Sequence, residues 1–348
     1  MTPLVYSTLI ISLGLATTMT FASTHWFLAW MGIEINTLAI IPLMTKNHAP
    51  RTTEATTKYF FAQATASATL MFAAMSNAFL VGEWDIIQTH HPLTSTLVTL
   101  ALAMKIGLAP LHSWMPEVLQ GLDLLTGLIL STWQKLAPLC LIYQIEPNNP
   151  NVFITLGLLS VLVGGWGGFN QVQLRKILAY SSIAHLGWMM LILSFYPPLT
   201  LIALLTYLMM TSALFFSFMM TQATHITSLS TSWTKIPALT AITPLTLLSL
   251  AGLPPLTGFM PKWLILSELT KQNLIPIATL AALSSLLSLY FYLRLSYTMT
   301  LTMPPNNPAG TLPWRLIPQC NTLLPALTTT TTIFLLPTTP TILTLFTP

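Results

Sequence analysis

The chain has 348 residues, 53% of them hydrophobic and only 6% charged, with a mean hydropathy of +0.72. A water-soluble domain of this length exposes far more charge, so the composition excludes one and points to a bundle of transmembrane helices. The net charge of +4 comes from scattered Lys and Arg rather than a basic patch, which argues against nucleic acid, and Cys140 and Cys320 support no disulfide framework, zinc site or iron–sulfur cluster.

The first residues, Met-Thr-Pro-Leu-Val-Tyr, carry neither a basic n-region nor an Arg-rich presequence, so the first apolar run is expected to be a retained helix. Heavy use of Leu, Thr, Met and Pro with few acids fits synthesis inside an organelle. Eleven apolar spans follow in chain order, at roughly 3–22, 25–45, 57–81, 94–115, 122–144, 149–169, 177–195, 199–220, 237–270, 274–299 and 323–346. The fourth holds Gly107 and Pro110 just after Lys105; the ninth, too long for one crossing, holds Gly252, Pro254, Pro255, Gly258 and Pro261. Proline removes a helical donor and clashes with the carbonyl four residues back. Both helices are therefore expected to break, which a membrane tolerates only where protein or a wet cavity satisfies the freed groups.

Basic residues orient the spans. Lys46, Arg51 and Lys58 border the loop after the second span, Arg175 and Lys176 follow the sixth, Lys235 precedes the ninth, and Arg294 and Arg315 flank the loop after the tenth. With eleven crossings these all fall on one side; the other carries Glu83, Asp85 and Glu146, with Lys271 its one loop cation. The bias predicts an inside N-terminus and an outside C-terminus. Glu117 and Asp123 run against it, but acids contribute little to the rule.

The breaks suggest a repeat. Residues 1–145 and 146–300 each give five helices with the fourth broken, leaving 301–348 as a loop and a C-terminal helix. Five is odd, so the second unit must be inverted, an architecture familiar from transporters. This symmetry rests on position, not on matched residues.

Glu34, Lys105, Lys135 and Lys262 lie deep inside apolar runs. A mid-bilayer charge costs about 2.5–3.5 kcal/mol on the mildest scale, so these groups must face protein, water or one another. Titratable groups along a buried line are what a proton path needs. Glu34 and Lys105 form a candidate pair: an ionised Glu34 holds a proton on the lysine, and withdrawal of that charge releases it. The plainer alternatives are a neutral, hydrogen-bonded Glu34 and a static ion pair. Lys135 sits beside Gln134 in the fifth span. Lys262 follows the second break, either as part of the path or at a half-helix end reaching an interface. His112, seven residues beyond Lys105, shares its face if the helix resumes, and is a relay or a structural histidine. His185, one turn from Ser181, makes a polar stripe that holds water or bonds helices. Glu268 is a possible aid to proton exit. GGWGGFN at 164–170 has no preceding strand and no following Lys-Ser/Thr, so close helix packing explains it better than nucleotide binding.

The segments KIGLAPLHSWMPE, WQKLAPL, GGWGGFNQ, LRKILAYSSIAHLGW and GLPPLTGFMPKW, in this order, resemble the antiporter-like membrane subunits of mitochondrial respiratory complex I. The resemblance is strong from the second to the tenth span and weak at the ends. It implies an all-α polytopic subunit in the mitochondrial inner membrane, N-terminus in the matrix and C-terminus toward the intermembrane space. Its partners would be other membrane-arm subunits, including further antiporter-like chains, and lipid. NADH, FMN, iron–sulfur clusters and ubiquinone would belong to other subunits, with no cofactor in this chain. Glu34 and Lys105 take the positions of the family's acid–lysine pair, Lys135 that of the central lysine and Lys262 that of the second broken helix. Bacterial relatives resemble fourteen-helix proteins, and on this resemblance the chain is expected to lack the first three. The expected function is proton translocation coupled to NADH oxidation elsewhere; a purely structural subunit and a stand-alone cation/proton antiporter are the competing readings.

Overall fold

Proline opens six of the helices, where its missing N–H removes nothing from the hydrogen-bond ladder and its fixed φ suits the first turn. The computed structural model describes residues 2–46, 48–89, 91–145, 149–234, 236–301 and 322–346. Glu146, Lys235, Arg315 and Cys320, used above for charge and cysteine reasoning, lie outside them. The helices are α1 (Pro3–Ala22), α2 (Trp26–Met44), α3 (Pro50–Val81), α4 (Pro92–Ile106), α5 (Trp114–Gly121), α6 (Leu124–Ser131), α7 (Trp133–Gln144) and α8 (Pro150–Gly167). They continue with α9 (Leu174–Leu193), α10 (Pro197–Thr221), α11 (Ile226–Ser230), α12 (Pro237–Ala251), α13 (Phe259–Lys271), α14 (Ile275–Thr300), α15 (Leu323–Phe334) and α16 (Thr339–Phe346). The fold is all-α, as the composition requires, with no strand among the described residues.

Eight helical runs are long and apolar enough to cross a membrane, α6 and α7 together counting as one. Three shorter apolar helices, α4, α12 and α15, stand beside them. Two expected spans prove discontinuous. The fifth is interrupted at Thr132, whose hydroxyl donates to the Leu128 carbonyl at 2.7 Å, a back-bond that bends helices. The last gives way at Leu336–Thr338 to a 3-10 turn around Pro337, which lacks the N–H needed to continue α15.

The chain divides into two units, Met1–Leu156 and Gly157–Pro348. In the first, Trp26 N donates to Trp84 O and Ile86 N to Thr24 O, tying the loop before α2 to the loop after α3. In the second, Leu174 N donates to Thr224 O and Ile226 N to Val172 O, the same tie between the loops flanking α9 and α10. Each unit thus fixes a helix pair at one end by two backbone bonds.

Without a hydrophobic drive between helices, close backbone approach through small residues does the packing. Within the second unit the 164–168 glycines serve this purpose. A Cβ on Gly164 would meet the Ala184 nitrogen at 2.7 Å, and one on Gly165 would meet Leu287 Cβ at 2.9 Å, so this end of α8 lies wedged between α9 and α14. Gly187 of α9 lies as close to α8. Gly187→Leu should lower the thermal midpoint of the detergent-solubilised protein, by about 1–3 kcal/mol of stability, because even a Cβ there would meet Val161 Cγ2 at 2.7 Å. Gly14→Leu, with nothing within 4 Å, should leave it unchanged.

Candidate functional site

The two breaks are where sequence and structure meet most directly. α4 ends at Gly107 with φ +86, and α12 ends at Gly252 with φ +80, a left-handed conformation that glycine adopts without steric cost. After each glycine the chain runs Leu-x-Pro-Leu, and helix resumes at Trp114 or Phe259, followed in both by Met-Pro. Residues 107–116 and 252–261 therefore match at Gly, Leu, Pro, Leu, Met and Pro, and both carry a cis X-Pro bond, Ala109–Pro110 and Pro254–Pro255. The two turns thus share residues as well as place in the chain. In this register Lys262 aligns with Glu117, and Lys105 with Leu250. The two lysines sit on opposite limbs of their breaks.

A helix leaves its last four carbonyls without partners, and a bilayer offers them no water. In the first unit α4 is capped by neutral donors. Gly107 N and Leu108 N both donate to Ala103 O at 2.9 Å, the Trp114 indole to Met104 O at 3.0 Å, and the Gln63 amide of α3 to Lys105 O at 3.2 Å. In the second unit Leu253 N donates to Leu248 O and Gly252 N to Ser249 O. The Ala251 carbonyl is taken by Lys262, whose Nζ donates at 2.7 Å.

The first-unit cluster surrounds Lys105. That residue is only 5% exposed, and its Nζ is buried without a hydrogen-bond partner. It shares a small cavity with Lys135, itself 2% exposed, in the first turn of α7 just past the Thr132 interruption. Asn36, Thr37, Tyr59, Gln63 and Gln134 complete the polar lining, and Gln134 donates to Asn36 Oδ1 at 3.2 Å. The cavity has room for about one water molecule. Glu34, half-buried on α2, accepts from the Thr37 hydroxyl at 3.3 Å. It makes no contact ion pair with Lys105; the ion pairs among the described residues are Lys58–Glu54, Lys58–Glu117 and Lys271–Glu268. Lys105 and Glu34 are thus not locked together.

Other expectations fare differently. The helix does not resume until Trp114, so His112 lies in the turn, its Nδ1 3.2 Å from Pro110 O, rather than on the face of Lys105. His185, on α9, packs its ring against Tyr207 at 5.7 Å in the second unit. Lys262 does sit at a half-helix end, but reaches back to α12 instead of outward. Glu268 pairs with exposed Lys271 at 2.6 Å. Glu117, the acid that ran against the charge bias, is held by Lys58 at 2.8 Å. Sequence reasoning overlooked Tyr59, Gln63 and Asn36; the signal available was three polar side chains inside otherwise apolar helices.

Comparison with known proteins gives a consistent picture. Residues 23–288 match the family described as NADH:quinone oxidoreductase/Mrp antiporter, transmembrane, and 289–343 match that of the NADH dehydrogenase subunit 2 C-terminus. NADH-ubiquinone oxidoreductase chain 2 of Tetraodon nigroviridis is 64% identical over 99% of both chains. Among solved structures, a chain of respiratory complex I from Thermus thermophilus superposes with a TM-score of 0.80 at 27% identity, over 94% of this chain and 78% of that one. A chain of the Mrp complex from Dietzia sp. gives 0.76 at 19% identity, over 85% and 60%, a likeness of fold alone.

The Lys262 cap can be weighed separately from backbone strain. Gly82 and Gly252 both have φ near +80, at +85 and +80, but nothing lies within 4 Å of a Cβ on Gly82, whereas one on Gly252 would meet Lys262 Cδ at 2.8 Å. Gly82→Ala should cost about 1–2 kcal/mol, the left-handed penalty alone. Gly252→Ala should lower the thermal midpoint further, and in a Lys262→Ala background, where those atoms are gone, Gly252→Ala should cost only what Gly82→Ala costs.

Proposed function

The chain belongs to the NADH:quinone oxidoreductase/Mrp antiporter transmembrane family, and from that premise we propose that Glu34, Lys105 and Lys135 carry protons through its first unit. It is a proton-translocating membrane-arm subunit of NADH:ubiquinone oxidoreductase, respiratory complex I, a multi-pass protein of the mitochondrial inner membrane working among other membrane-arm subunits. The redox cofactors of that complex sit in other subunits. On our reading this chain itself binds none of NADH, FMN, iron–sulfur clusters or ubiquinone.

One observation carries the residue-level reading: Lys105 and Lys135 line the same polar cavity, and the Lys105 amine is buried with no hydrogen-bond partner. A static structural lysine would be expected to rest on a carbonyl or a carboxylate, since a buried charge left without either is expensive. A lysine without a fixed partner responds to its field. When charge movement in a neighbouring subunit strengthens or weakens Glu34, the proton on Lys105 is retained or handed through cavity water toward Lys135. Lys262 is the exit group of the second unit in this scheme, with His112 and His185 as secondary relays.

Two further readings accompany it. The matched breaks and matched loop ties support an inverted repeat of residues 1–145 and 146–300, followed by a C-terminal segment from 301. The Lys58–Glu117 pair joins the N-terminal part of α3 to α5, the far limb of the first broken helix, which supports placing both on one membrane face. Together with the basic residues near them, this favours a matrix N-terminus and an intermembrane-space C-terminus.

Each outward proton works against about 2.3 kcal/mol per 100 mV. Removing a proton-accepting side chain from the relay should therefore be visible as lost coupling. In complex reconstituted into vesicles, Lys105→Met or Lys135→Met should cut pumping and coupled turnover about tenfold or more. NADH oxidation with a water-soluble acceptor should persist. Unchanged proton stoichiometry in both variants would remove the relay.

A further inference from the structure

The structure assigns Gln63 as the positioning residue that keeps the Lys105 ammonium free. The inference rests on the relay reading above and deepens it. α4 and α12 end alike, at a left-handed glycine followed by the same Leu-x-Pro-Leu turn, and each end has a late carbonyl to satisfy. In the second unit a lysine does this: Lys262 Nζ donates to Ala251 O at 2.7 Å. In the first unit Lys105 lies in the last turn of α4 itself. It is not used. The Gln63 amide, 5% exposed on α3, donates to the Lys105 carbonyl instead, and the Trp114 indole donates to Met104 O.

Neutral donors therefore occupy the acceptors that an ammonium would otherwise seek. A buried amine prefers a carbonyl to no partner at all, because charge-assisted hydrogen bonds are the strong ones. With Gln63 removed, the Lys105 carbonyl loses its side-chain donor, and the amines around the cavity compete to replace it. A lysine drawn into capping has the fixed partner that Lys262 already has and no longer follows Glu34. Gln63 touches no proton in transit. It acts through Lys105.

A double-mutant cycle in assembled complex, reconstituted into vesicles, tests this. Gln63→Met keeps size and removes the donor; pumping per NADH should fall about fivefold or more, the effect of one lost buried hydrogen bond. Native gel electrophoresis should show the variant subunit in intact complex. Gln63→His, which restores an N–H, should recover most of the loss. Gln63→Met combined with Lys105→Met should pump no worse than Lys105→Met alone, because a residue acting through the lysine has nothing left to position. If Gln63→Met fails to assemble, Gln63→His against Gln63→Glu preserves the contrast between donor and acceptor. Full pumping by Gln63→Met, or multiplicative losses in the double variant, would overturn the assignment. Full pumping by Lys105→Met would instead overturn the relay itself.

Discussion

A helix interrupted inside a bilayer exposes carbonyls that water cannot reach, and everything distinctive in this chain follows from how those carbonyls are satisfied. Each unsatisfied group in hydrocarbon costs several kcal/mol, so a break survives only with dedicated donors. The first break recruits Trp114 from its own far limb and Gln63 from α3. The second recruits Lys262, plus Thr257 for a neighbouring helix: the Thr257 hydroxyl donates to Thr332 O at 2.6 Å, one of the late carbonyls of α15. Capping is structural work, but the choice of donor decides whether a nearby ammonium stays available for chemistry. Stability and function are thus set by the same few hydrogen bonds.

Much of this was legible in the sequence, because hydrophobic length and Gly/Pro punctuation are local signals. The apolar runs, both broken helices, the position of Lys105 before one break and of Lys262 after the other, and the packing role of the 164–168 glycines all follow from residues close together in the chain. What was not legible depends on partners far apart. Gln63 meets Lys105 across 42 positions, and Gln134 meets Asn36 across 98. The Thr132 interruption arises from a threonine whose sequence context reads as ordinary helix. His112 was placed on a helical face on the condition that α4 resume at once; Pro110 and the cis turn delay it to Trp114. One signal was present and unread: the shared Gly-Leu-x-Pro-Leu and Met-Pro of the two breaks.

That shared motif also shows what has diverged. Two sequences that fold into the same turn keep the residues that make the turn, namely the left-handed glycine and the prolines, and are free elsewhere. The position of Glu117 in one is that of Lys262 in the other, and the charge reversal follows the surroundings. Glu117 lies beside Lys58 at the exposed end of α3, where an acid completes an ion pair. Lys262 lies against the end of α12, where the helix dipole and the Ala251 carbonyl call for a cation. The turn is the constant, and the charge it presents is the variable.

The asymmetry has an energetic consequence for any proton leaving by way of Lys262. That ammonium must first surrender a charge-assisted bond worth about 1.5–3 kcal/mol. The work of moving one proton outward is about 2.3 kcal/mol per 100 mV. A barrier of the same size as the driving force is small enough to be overcome once per cycle and large enough to oppose back-leak when the membrane is charged. Lys105 has no such bond to surrender. The Lys262 cap therefore adds a release cost at the second break that the neutral caps of the first do not carry.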